Sequence, residues 1–96
     1  MIDFYNEELG LSFSLEYNEF DKLKPIFDEF YRRTGLSIDE YGDTRLIIDN
    51  LLLIKNIAVN FSNQEMDKDQ RALIQAFIRK LGTITQGGYY YFVTGD

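Results

Sequence analysis

The stretch LSFSLEYNEFDKLKPIFDEFYRRTG, residues 11–35, changes its apolar period partway along, and that change sets the fold class. Leu11, Phe13, Leu15 and Tyr17 alternate with Ser12, Ser14 and Glu16, the period of two of a half-buried strand. Phe20, Leu23, Phe27, Phe30 and Tyr31 then recur at helical spacing, and Gly35 follows as a C-terminal cap. Pro25 bears on where that helix begins. With Asp21 as N-cap, Pro25 falls in the first turn, where its missing N–H costs little; a start near Asn18 would imply a kink.

Downstream, Leu36-Ser37-Ile38 reads as a short strand, and Tyr41-Gly42-Asp43 is a turn leading into a second one, Thr44-Arg45-Leu46. Leu51 to Val59 is readable as a buried strand or as a helix capped by Asp49 with Leu51, Ile54, Ala58 and Phe61 on one face. The helix is favoured, because an unbroken strand from Thr44 to Phe61 would be abnormally long. Ser62 to Met66 forms a loop and Asp67 caps the clearest helix, with Leu73, Ile74, Phe77, Ile78 and Leu81 facing inward and Gly82 ending it. After the turn Gln86-Gly87-Gly88, Tyr89 to Thr94 is aromatic and β-branched. Its apolar side chains point both ways, so this strand is interior to the sheet or covered by a partner. The expected order is β-α-β-β-α-α-β: a single α+β domain over residues 1–96, helices packed on one side of a small sheet.

Composition restricts the chemistry. The 96 residues contain no His, no Cys and no Trp, which removes most of the usual catalytic and metal-binding side chains. The neighbouring acid pairs Glu7 and Glu8, Asp28 and Glu29, and Asp39 and Glu40 are adjacent in sequence and so diverge on a strand or helix, unlike a glycosidase pair. Thr83 to Gly88 lacks the Lys-Ser/Thr of a P-loop, and neither Asp39-Glu40-Asp43 nor Glu65-Asp67-Asp69 fits a calcium loop. A binding protein without cofactor or metal is expected, not an enzyme. The three consecutive tyrosines Tyr89, Tyr90 and Tyr91 have no Lys or Arg beside them in the tail, so a core strand is favoured over a base-stacking platform.

Acids outnumber bases 16 to 10, and the excess is local. Residues 1–31 hold eight acids against Lys22 and Lys24, which accounts for the entire net charge of −6. Such a balance disfavours nucleic acid as a partner and suits a basic protein. The N-terminus lacks a basic region before an apolar run, and no apolar stretch approaches a membrane span, so a cytoplasmic location is expected.

The segment Thr34-Gly35-Leu36-Ser37-Ile38-Asp39-Glu40-Tyr41-Gly42-Asp43-Thr44-Arg45-Leu46 looks like a stretch found in small bacterial proteins of the polymorphic-toxin neighbourhood, and at class level the sequence resembles the small acidic immunity proteins of bacterial contact-dependent inhibition and related systems. The resemblance implies neutralisation of a cognate toxin, for which a basic nuclease domain is the natural partner. On that reading the contact residues are Asp21, Asp28 and Glu29 on the first helix and Asp39, Glu40, Tyr41 and Asp43 at the turn, the carboxylates pairing with toxin Lys and Arg and Tyr41 acting as anchor. Reversing Asp21, Asp28 and Glu29 would then weaken binding far more than reversing Glu65, Asp67 and Asp69. Alternatives are a phage-encoded inhibitor that mimics nucleic acid and a module that dimerises through Tyr89 to Val93; a homo-oligomer is not the expected state.

Overall fold

The computed structural model describes residues 1–95. The chain runs β1 (Ile2–Asn6), β2 (Leu11–Leu15), α1 (Tyr17–Thr34), β3 (Asp43–Ile47), α2 (Ile48–Ser62), α3 (Lys68–Ile84) and β4 (Tyr90–Gly95). The four strands pair antiparallel in the order β2-β1-β4-β3. The α+β class holds, with three helices on one side of a small sheet, and β4 is interior to that sheet as its two-sided apolar character required.

The order of elements differs from expectation at the start. Ile2–Asn6 is a strand that pairs with both β2 and β4, whereas Leu36-Ser37-Ile38 is not a strand. Ile38 is buried, but the backbone around it bonds to side chains: Thr34 Oγ1 accepts from Leu36 N–H at 3.0 Å, and Thr44 Oγ1 donates to the Ser37 carbonyl at 2.6 Å. Tyr17 begins α1 and does not extend β2, because Glu19 reaches back to accept the Glu16 N–H at 2.9 Å and closes the first turn there. The helix therefore starts before Asp21 and runs on through Pro25. Asp21 and Pro25 both lie on the exposed side of α1, so the carbonyl that loses its partner to the proline faces water.

Residues 48–62 are helical, with Leu51, Ile54 and Ala58 buried and Phe61 packed against the core. Asn50 closes this start by accepting the Ile47 N–H at 2.9 Å, while Asp49 sits in the first turn and is not the cap. Asp67 does cap α3, its Oδ1 accepting from Gln70 N–H at 2.8 Å. That helix passes Gly82 and ends at Ile84. Gly35 ends α1 in the left-handed region, with φ 75° and its N–H donating to the Tyr31 carbonyl at 2.8 Å.

Ile2, Phe4, Leu15, Leu46, Tyr91 and Val93 point from the sheet toward the helices and form the core with Phe20, Leu23, Phe27, Phe30, Ile54 and Phe77. Segment 38–42 closes one end of that core by crossing close over β4. A Cβ on Gly95 would lie 2.5 Å from the Glu40 carbonyl, so only glycine allows the two backbones to approach this closely.

Candidate functional site

Because successive residues on a strand face opposite ways, a sheet covered on one side displays every second side chain on the other. The interstrand register lays these out in rows. Ser12, Tyr5, Phe92 and Arg45 form one row across all four strands, and Ser14, Asp3, Thr94 and Asp43 form the next. Tyr90 pairs with Ile47 in the row beyond, beside Glu7. This face is uncovered by any helix.

Its centre is aromatic and its border acidic. The Arg45 guanidinium stands over the Phe92 ring at 5.2 Å from the centroid. Tyr5 is 39% exposed and Tyr90 50%. A shallow basin of about 500 Å³ lies beside Tyr5, walled by Tyr5, Phe92, Glu7 and Thr94 and bordered toward β2 by the small residues Gly10 and Ser12. Among the described residues, neither Glu7 nor Asp43 makes an ion pair. Asp3 accepts a hydrogen bond from Ser14 Oγ.

The frame behind this face is tied down by polar groups. Asn6, the buried polar residue of the core, joins the end of β1 to the end of α3 and to the turn before β4: its Nδ2 donates to the carbonyls of Ile84 at 2.6 Å and Gly87 at 2.7 Å. Glu8 accepts from the backbone N–H of Tyr89 at 2.9 Å and so positions the start of β4. Tyr91 donates its hydroxyl to the Gly87 carbonyl at 2.9 Å; burial, with the nearby Glu8 charge second, raises its pKa above the usual tyrosine value.

The residues expected to bind a partner are not brought together. Asp21 and Asp28 are exposed on α1, which belongs to the helical layer behind the sheet, with Lys24 between them one turn from each. Glu29 is occupied within the chain: Arg32 donates to it at 2.8 and 2.5 Å and Arg33 at 2.6 Å. Asp39 holds the connecting segment, its Oδ1 accepting the Tyr41 N–H at 2.8 Å, while Glu40 is half-buried. Tyr41 is 84% exposed and projects from the turn. Asp43 alone of the seven stands in the open-face rows, level with Asp3. The acids of the first third are thus divided among a helix face, a helix cap, a turn and the open sheet. Asp3, Tyr5, Glu7, Arg45 and Phe92 were not among the residues expected to make the contact, although Asp3 alternates with Ile2 and Phe4 as a strand position would.

The Arg32 hydrogen bonds, followed by those of Arg33, hold the Glu29 carboxyl well below its usual range, at about 2. Its side-chain carbon resonance, followed by NMR into acid, is expected to turn over near pH 2 and not near 4.5. With the folded value below the unfolded one, the pairs' contribution to stability is complete above about 4.5 and disappears as pH falls through about 2. Titration near 4.5 in the intact fold would mean that the two arginine pairs do not persist in solution.

Among the described residues no group of three or more acids is placed to hold a metal ion, and no helix is long and apolar enough to cross a membrane. Compared with protein-family models, with curated proteins and with solved structures, the chain finds no match.

Proposed function

We propose that this chain is a binding protein of the immunity type, which neutralises a basic toxin, such as a nuclease domain, in the cytoplasm by covering its substrate site. The observation that carries this reading is the uncovered sheet face, where the exposed rings of Tyr5 and Tyr90 and the half-buried ring of Phe92 are bordered by Asp3, Glu7 and Asp43. Tyrosines supply rigid, amphipathic contact area, and carboxylates supply the field that a positively charged cleft meets first. The net charge of −6 speeds that encounter and keeps nucleic acid away.

The test mixes the protein with the toxin domain encoded beside its gene and measures affinity and toxin activity as salt is raised. A stoichiometric complex that abolishes toxin activity and weakens as salt screens the charges is the expected result. Absence of a complex, or an affinity indifferent to salt, would overturn the reading.

A further inference from the structure

We infer that the basin on the open sheet face is a guanidinium-reading site: it takes an arginine of a basic protein partner, stacked on Tyr5 and Phe92 and paired to the Glu7 carboxylate. The inference rests on the binding reading above and names the place and the side-chain chemistry. Three observations carry it. First, among the described side chains the face carries three carboxylates, Asp3, Glu7 and Asp43, with Arg45 as the basic one, so its charge is complementary to a cation. Second, Arg45 stacked on Phe92 demonstrates that a ring on this face presents its π surface to a planar cation. Third, Tyr5 is the cross-strand partner of Phe92, and Gly10 and Ser12 leave space beside it that a larger side chain would fill.

Glu7 borders both the basin and a second hollow that it lines with Arg45, Tyr90 and Phe92. A second guanidinium entering the basin would therefore meet a ring wall and a carboxylate at once. The planar, weakly hydrated guanidinium gains from both, whereas a lysine ammonium gains mainly from the charge. A second copy of this chain is a poorer occupant, because its own open face carries the same negative excess.

The experiment titrates tetra-arginine and tetra-lysine peptides into the isotopically labelled protein and follows backbone amides by NMR. Arginine is expected to bind about fivefold tighter than lysine, with shifts centred on Tyr5, Glu7, Ser12 and Phe92. The preference should disappear in Tyr5→Ala and in Phe92→Ala, each checked by thermal unfolding to be folded. Equal responses to both peptides centred on Asp21 and Asp28 would overturn the basin while leaving an acidic binding protein in place. No response to either peptide overturns it as well, and the toxin measurement then decides the broader reading separately. Sedimentation as a dimer that Phe92→Ala dissociates would make the face an interface between copies and overturn the inference.

Discussion

Phe77→Ala is expected to lower stability by about 3–5 kcal/mol, close to what a small domain can lose and remain folded. Phe77 stands edge-on to three other rings: Phe4 at 5.9 Å, Phe13 at 6.1 Å and Phe27 at 5.6 Å, with interplanar angles of 72°, 76° and 78°. Phe4 and Phe13 are themselves stacked at 4.8 Å, and Phe27 stacks on Phe20 at 5.1 Å. One ring on α3 therefore joins β1, β2 and α1. Edge-to-face contacts are favoured by the ring quadrupole, and closely packed neighbours on three separate elements leave little freedom to collapse into the space a truncation opens.

The check is urea unfolding followed by circular dichroism. Phe77→Leu, which refills most of the volume, is expected to recover more than half of the loss. Phe92→Ala should cost far less, because its ring is half-buried on the open face, where it meets the Arg45 guanidinium and not a cluster of rings. If Phe77→Ala lost no more stability than Phe92→Ala, the aromatic cluster would not be the centre of the core.

The first and third helices were legible in the sequence because their buried residues repeat at helical spacing, whereas α2 was separable from a strand only by its length. Phe20, Leu23, Phe27 and Phe30 are buried in α1, and Ile74, Phe77 and Leu81 in α3. The caps at Gly35 and Asp67 were legible for the same local reason, since each is a property of one residue in one turn. What escaped was set by contacts distant in sequence. Strand β1 carries Tyr5 in a solvent-facing position and Asn6 in a buried one, which inverts the expected alternation over its second half. Its identity comes from β2 and β4 on either side. Leu36-Ser37-Ile38 shows the reverse: it alternates like a strand, yet the Ser37 carbonyl is taken by the Thr44 hydroxyl.

The candidate site was hidden for a related reason. Counting charge along the chain located an excess of acids but not their directions, and folding sends Asp3 to the open sheet, Glu19 into a helix turn and Glu29 to its own arginines. Sequence proximity therefore overstated how far these carboxylates could act together. The pairing of Tyr5 with Phe92 and of Phe92 with Arg45 required the β2-β1-β4-β3 strand order, which no local pattern contains.

Asn6→Asp is expected to cost about 3 kcal/mol or more at neutral pH, although it changes one atom's chemistry and almost no volume. The Asn6 side chain is fully buried, and its three partners fix which way the amide points. Two carbonyls, Ile84 at 2.6 Å and Gly87 at 2.7 Å, face the nitrogen, and the Leu9 N–H donates to the oxygen at 3.1 Å. Ile84 lies in the last turn of α3, where carbonyls have no partner within the helix, so Asn6 acts as a cap supplied from a strand 78 residues earlier. A carboxylate there would set negative oxygen against two carbonyl oxygens in a site closed to water. Protonation restores one donor, so the penalty should shrink as pH falls toward 4 and grow as pH rises to 7. Asn6→Leu removes the donors without adding charge and should be destabilising with no such pH dependence. Thermal unfolding of both variants between those pH values checks the sign, and a pH-independent loss in Asn6→Asp would mean that water reaches the site. Because Asn6 lies between Tyr5 and Glu7, hydrogen exchange of β1 adds a functional reading. Both variants should loosen the strand that carries Tyr5 and leads into Glu7, two of the three residues proposed to hold an arginine, whereas Phe92→Ala should leave its protection unchanged.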